Sequence, residues 1–176
     1  MVSTSSAPAD IVPAPGPELI VDALKQAGID FLVVLPDQKL ARLHALIEND
    51  PYFTTVTVCR EEEGVGICTG AFYGGRRAGM LIQNGGLFVA TNALVSTAIM
   101  YEIPMVLLIY YAGDIGDRFF PTVGHYTEPL LQALDIRYWV PREAHQVVLT
   151  ITGAQVTAAD SMRPVAVLLT RPILGE

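Results

Sequence analysis

Met105-Val106-Leu107-Leu108-Ile109 is the run on which the fold turns. Five apolar residues in succession leave no polar face, so a strand here must be covered on both sides. That is the condition of a parallel sheet packed between helices. Outward from it, short runs of the same kind recur between helical patterns. The spacing predicts strands at Phe31–Leu35, Thr54–Cys59, Met80–Gln83, Met105–Tyr110, Arg137–Val140 and Val165–Leu169. Helical patterns fall between them, near Leu40–Glu48, Glu62–Tyr73, Ala90–Tyr101, Glu128–Leu134 and Ala144–Ala159. An earlier amphipathic helix opens at Pro17, a favourable first-turn residue, runs through Glu18–Leu24 and is stopped by Gly28. Such alternation predicts an α/β fold: a single doubly wound parallel six-stranded sheet with helices on both faces. No repeat or linker divides the chain. Residues 17–176 are expected to form one domain, behind a Ser/Ala/Pro-rich segment, residues 1–16, expected to be disordered.

Hydrophobic residues make up 51% of the 176 and charged residues only 16%, a balance that points to surface buried against a partner. The longest strongly apolar run, Ile103 to Ala112, contains Pro104 and is too short for a bilayer. Leu87 to Tyr101 is broken by Thr91, Asn92, Ser96 and Thr97, so no membrane span is expected. A formal net charge of -7 argues against a nucleic-acid partner. Cys59 and Cys68 have no metal-site spacing to a histidine and read as reduced, packed thiols; no metal site is expected on this chain. The N-terminus lacks a positive start followed by an apolar core, which makes the cytoplasm the expected compartment.

Open α/β sheets place ligand chemistry at the turns that follow their strands. Here those are Pro36-Asp37-Gln38, Glu61-Glu62-Glu63, Asn84-Gly85-Gly86, Tyr111-Ala112-Gly113 and the loop from Asp114 to His125. The oddest is Arg60-Glu61-Glu62-Glu63-Gly64-Val65-Gly66, where three carboxylates open a helix whose N-terminus stabilises negative charge. Helical neighbours point about 100° apart, so at most one of the three faces a given ligand. Gly64-Val65-Gly66 and Gly113-Asp114-Ile115-Gly116 match neither the dinucleotide fingerprint nor the P-loop. Asn84-Gly85-Gly86, between a strand and a helix, admits a phosphate cradle but has no adjacent basic residue; a tight turn with close helix packing is the simpler reading. Gly70, Gly74, Gly75 and Gly79 suit either a subunit interface or helix-on-sheet packing. His125, in a loop before a helix, has the pKa range of a general acid, with a surface role as the alternative. His44 and His145 sit in helical patterns and read as peripheral.

Taken in order, four segments resemble the pyrimidine-binding domain of thiamine diphosphate enzymes. They are Leu35-Pro36-Asp37, Arg60 to Gly64, Gln83-Asn84-Gly85-Gly86-Leu87 through Asn92-Ala93-Leu94, and Ile103-Pro104 through Ile109. Within that superfamily the likeness is to sulfopyruvate and phosphonopyruvate decarboxylases, whose tail motif Thr127-Glu128-Pro129 through Ile136 resembles. It spans roughly residues 17–172. The resemblance implies thiamine diphosphate as cofactor and a glutamate that hydrogen-bonds its pyrimidine ring nitrogen and activates it. Aligned through the following helix, with Ala71-Phe72 in place of a Gly-Tyr pair, that glutamate is Glu62, with Glu61 and Glu63 as alternatives. It further implies that Pro36, Asn84 and Asn92 line the aminopyrimidine slot, that Asp37 faces the reacting centre, and that His125 completes the catalytic set.

The family holds the diphosphate through Mg2+ on a G-D-G motif with a downstream Asn, carried by a second domain. Ala112-Gly113-Asp114-Ile115-Gly116-Asp117 is not that motif. The resemblance therefore implies one half of a split enzyme: an α subunit in a hetero-oligomer with a diphosphate-binding β subunit, acting on a small-molecule 2-oxo acid. Decarboxylation with release of CO2 and an aldehyde is expected; a carboligase subunit and a non-catalytic module of the same fold are the alternatives. Two departures bear on the substrate. The relatives' N-S-G-L-G-N is here Asn84-Gly85-Gly86-Leu87-Phe88-Val89, and His125 stands where they carry Arg. A bulkier wall and a lost guanidinium predict a side-chain pocket diverged from one for a doubly charged sulfonate or phosphonate, unless Arg60 or Arg118 compensates.

Overall fold

Six short strand patterns become six parallel strands in the computed structural model, which describes residues 16–175. The strands β1 (Phe31–Val34), β2 (Thr54–Thr57), β3 (Ala78–Gln83), β4 (Met105–Tyr110), β5 (Arg137–Trp139) and β6 (Pro164–Leu169) pair in the order β2-β1-β3-β4-β6-β5. All pairings are parallel, with Val33 opposite Met80, Leu81 opposite Leu108 and Leu107 opposite Ala166. Every residue of β4 is buried, as its unbroken apolar run requires. The helices are α1 (Pro17–Ala27), α2 (Ala41–Glu48), α3 (Glu61–Tyr73), α4 (Asn84–Ala93), α5 (Pro121–Ala133) and α6 (Ala144–Ser161). One core packs α1, α2 and α6 on one face of the sheet through Leu24, Leu43 and Ile151; the other packs α3, α4 and α5 through Val65, Leu87 and Leu131. Gly28, at φ 71°, ends α1 in the left-handed conformation that favours glycine. Of the segment expected to be disordered, residues 1–15 lie outside the described residues.

From β1 the chain steps outward to β2, then returns through α3 to β3 on the other side of β1. The carboxyl ends of β1 and β3 therefore part at a topological switch point, the place where such sheets open a crevice.

Three expectations are corrected. Asn84-Gly85-Gly86 is no free turn: α4 starts at Asn84, where Ala90 was the expected start. Glycine belongs at position 86 because a Cβ there would collide with the Glu61 carboxylate. The helix then continues as a π-helical stretch, Leu94–Ile99, where regular helix to Tyr101 was expected. Lastly, α5 begins at Pro121, where Glu128 was expected, so His125 is helical and the preceding loop is shorter than predicted. Pro121 takes the first helical turn, where a missing N–H costs nothing, and Phe120 swings the chain in at φ 54°. Pro129, which in sequence suggests a helix start, sits inside α5 and forgoes one intrahelical bond. Gly124 and Gly113 allow the backbones of α5 and the loop after β4 to touch, since a Cβ on either would strike the other segment. Strand ends differ from expectation by a residue or two, the ordinary uncertainty of fraying.

Candidate active site

At the head of α3 the three glutamates part company. Arg60 precedes the helix in extended backbone, φ -142° and ψ 142°. The Glu61 side chain lies against Gly86 in the first turn of α4. Glu63 accepts the Cys59 N–H at 3.4 Å and remains exposed. Glu62 is half-buried: its Oε1 accepts from Arg60 Nε at 2.7 Å, while its Oε2 is buried with no hydrogen-bond partner. Its own backbone N–H, then the Arg60 guanidinium, hold its carboxyl below the usual carboxylate range. The helix N-terminus thus keeps a charged carboxylate with one oxygen unengaged.

Asp37 and Gln83 meet across the switch point. Asp37 Oδ1 accepts the Lys39 N–H at 2.8 Å, and its Oδ2 accepts from Gln83 Nε2 at 3.1 Å. Beside them is a cavity of about 90 Å3 walled by Tyr110, Phe119 and Phe120. Asp117 folds the loop over it, accepting from the Tyr110 hydroxyl at 2.6 Å, the Phe119 N–H at 2.9 Å and the Gly113 N–H at 3.3 Å. Partial burial raises the Asp117 pKa, but these donors outweigh it and leave the carboxyl below its ordinary range.

Asn84 is 0% exposed and knits α4 to its neighbours. Its Nδ2 donates to the Ala112 carbonyl at 2.7 Å and to Thr127 Oγ1 at 2.8 Å, while its Oδ1 is buried without a partner. Pro36 is exposed just ahead of Asp37, and Asn92 is exposed on the outer face of α4. Phe88 and Val89 lie on that same outer face, 38% and 46% exposed. His125 is exposed on α5, edge-on to Tyr126 at 4.9 Å, and makes no hydrogen bond or ion pair with Asp37 or Glu62. The fold therefore draws the Pro36-Asp37 turn to Gln83 and Asn84, and sets Glu61 beside Glu62 against the start of α4. It leaves His125 and Asn92 facing solvent. His44, near Glu48, and His145, near Glu143, sit on α2 and α6 away from these turns. Both cysteines are free thiols, but only Cys68 is packed, its burial pushing the thiol up to about 12; Cys59, expected to be packed, is exposed just past the end of β2. Among the described residues no three His, Cys, Asp or Glu side chains cluster to hold a metal ion.

Sequence reasoning quoted Gln83 and Thr127 inside longer motifs and assigned neither a task. Their partners lie 46 and 43 positions away, so no local pattern marks them.

No protein-family model matches the chain. The α subunit of sulfopyruvate decarboxylase from Methanococcus maripaludis is 32% identical over 154 residues, covering 86% of this chain and 92% of that one. The chain belongs to the sulfopyruvate decarboxylase α-subunit family. Phosphonopyruvate decarboxylase of Streptomyces viridochromogenes is a more distant relative, 25% identical over 161 residues, and the match spans 89% of this chain but only 41% of that one. An α subunit thus corresponds to one part of a longer decarboxylase chain. In fold, the 2-oxoglutarate:ferredoxin oxidoreductase of Magnetococcus marinus superposes with a TM-score of 0.71 at 16% identity, over 91% of this chain and 29% of that one. The acidic turn, the Asp37–Gln83 bridge and the buried Asn84 are therefore features of a decarboxylase α subunit.

Proposed function

We propose that this chain is the pyrimidine-binding α subunit of a cytoplasmic, two-chain, thiamine diphosphate-dependent 2-oxo acid decarboxylase. The observation that carries the proposal is the Glu62 carboxylate at the head of α3, with one oxygen buried and unpartnered. An orphaned acceptor of that kind fits the ring nitrogen of an aminopyrimidine, which shares a proton with it. When bound, thiamine diphosphate supplies the nucleophilic carbon that adds to a 2-oxo acid and the electron sink that lets CO2 leave. Glu62 would hold the proton at its Oε2 on the pyrimidine side. Asp37, oriented by Gln83, would hold one at its Oδ2 on the substrate side of the switch point. Pro36, the Asn84 Oδ1 and Asn92 would border the pyrimidine slot, and His125 would meet the substrate from α5.

The diphosphate and Mg2+ are assigned to a β subunit carrying the G-D-G motif. A surface for it is available beside Glu62. Along α3, a Cβ at Gly66 or Gly70 would meet nothing within 4 Å, and Phe88 and Val89 on α4 and Val95 on the π-helical stretch after it are exposed. Covering such a face would also dry the Glu62 environment, which strengthens every polar contact there.

The test is turnover of a 2-oxo acid panel, sulfopyruvate included, by the co-expressed α and β chains with Glu62 or with Glu62→Gln. The amide keeps the size and cannot exchange a proton, so turnover should fall on the order of 100-fold or more. Unchanged turnover would remove Glu62 from the chemistry. An even response across the panel would refute the diverged side-chain pocket inferred from Phe88, Val89 and His125.

A further inference from the structure

The last helix to pack on the core keeps an apolar face that none of the described residues covers. Inward, α6 presents Val147, Ile151, Ala154 and Ala158 to the sheet face opposite α3 and Glu62. Outward it carries Leu149 and Val156, 77% and 60% exposed, with Gly153 between them. At 100° per residue, His145, Leu149, Gly153, Val156 and Asp160 fall within an arc of about 80°. The hydroxyls bordering this stripe turn to their own helix: Thr152 donates to the Val148 carbonyl at 2.7 Å and Thr157 to the Gly153 carbonyl at 2.9 Å. Beside Leu149 a groove of about 310 Å3 runs along the edge strand, walled by Trp139, Val140 and Pro141.

Two residues of the stripe are ill suited to a helix that faces only water. Gly153 sits mid-helix, where glycine is less favourable than alanine, although a Cβ there would meet nothing within 4 Å. The chain's own packing therefore does not require glycine at this position. Asp160 stands in the last turn, where the helix dipole opposes negative charge, and it forms no ion pair or hydrogen bond among the described residues. A second helix lying antiparallel across the stripe accounts for both. Gly153 lets it approach closely, and its amino-terminal turn comes to rest beside Asp160.

The stripe is also its own complement. Leu149 and Val156 are equidistant from the step between Thr152 and Gly153, and so are His145 and Asp160. A two-fold axis at that step sets Leu149 against Val156 of a second copy, and His145 against its Asp160, each contact occurring twice. His145 keeps its Nδ1 3.2 Å from Glu143, which leaves Nε2 to donate to the carboxylate.

We propose that α6 is the contact between two copies of this chain, paired antiparallel about a two-fold axis at Thr152 and Gly153. Leu149 and Val156 of the two copies interlock, with Val156 entering beside the groove that Trp139 walls. The opposed helix dipoles and the His145–Asp160 pairs close both ends. Because α6 lies across the sheet from Glu62, this contact leaves the α3 and α4 face open to a different chain. Two copies thus meet back to back, with that face of each turned outward. The proposal stands whether or not the catalytic reading does.

The full-length chain is made with Cys59→Ser, which removes the exposed native thiol, and with either Leu149→Cys or Val156→Cys. The two variants are oxidised separately and as an equilibrated mixture. In the antiparallel pair, positions 149 and 156 are level, whereas each is offset from its own counterpart by about 10 Å along the axis. That exceeds the Cα separation of about 7 Å that a disulfide spans. Linked dimer should be about tenfold more abundant in the mixture than in either variant alone. In sedimentation equilibrium at about 100 µM, the parent chain should show a mass near twice its 19.0 kDa. Leu149→Glu should return it to one copy with its circular dichroism unchanged, because the side chain is exposed. Equal linkage in all three samples, linkage confined to one variant, a monomeric parent chain, or a Leu149→Glu chain that stays dimeric would each overturn the pairing. Loss of a co-expressed β chain on Leu149→Glu, with the mass of the isolated chain unaltered, would assign the face to that chain instead.

Discussion

Glu61, Glu62 and Glu63 bring one functional group into three surroundings, and the surroundings decide what each can do. Helical geometry turns Glu61 toward Gly86, leaves Glu63 exposed, and buries one oxygen of Glu62. That only one of the three can face a ligand was readable from the sequence; that Gly86 exists to seat Glu61 was not, because the contact joins separate elements. Asn84 makes the same point. The tight turn with close helix packing expected at Asn84-Gly85-Gly86 gave no sign of how its side chain is used: it is sealed, with both donated hydrogen bonds going to segments far along the chain. Asn84→Ala would strand the Ala112 carbonyl and take a donor from the Thr127 hydroxyl, which keeps its own bond to the Val123 carbonyl, and should cost about 2–4 kcal/mol in chemical denaturation. A loss below ~0.5 kcal/mol, the range of surface changes, would show that this amide is not the knot we describe.

At the scale of elements, the inner strands were legible because continuous burial leaves an unmistakable run, as in β4. The edge strands β2 and β5 are partly exposed and were read from β-branched and aromatic residues. Helix starts were not legible, because glycine and proline carry two meanings. Gly85 and Gly86 signal a turn in sequence and permit close approach in the fold; Pro129 signals a helix start and is tolerated inside α5. The segment most affected is the one that shapes the crevice, the loop from β4 to α5, held by Asp117 through Tyr110, Phe119 and Gly113. Because these donors leave the Asp117 pKa below its ordinary value, the fold favours the ionised form. That contribution is fully present above the ordinary aspartate pKa and is lost as pH falls through the lowered one. Asp117→Asn should therefore lower the melting temperature at neutral pH, and the gap to wild type should close as the solution is acidified below the usual carboxylate range. A gap that stays constant with pH would mean the loop does not depend on this charge.

For the whole molecule, part of the high apolar content lies on the surface, from Leu149 and Val156 on α6 to Phe88 and Val89 on α4. Among the described residues no helix is long and apolar enough to cross a membrane. Phe88 and Val89 on α4 and Val95 on the π-helical stretch after it are exposed, and Gly66 and Gly70 leave the surface of α3 open. Composition pointed to a partner; that an exposed apolar face lies on the helix following Asn84 needed the fold. On the proposed two-chain reading, neither chain alone would hold both ends of the cofactor. The most direct measurement is calorimetric titration of thiamine diphosphate with Mg2+ into this chain by itself and into its co-expressed complex with a G-D-G-bearing partner. Tight binding by the complex and little by the isolated chain are expected. Equal binding by the isolated chain, or none by either, would contradict it.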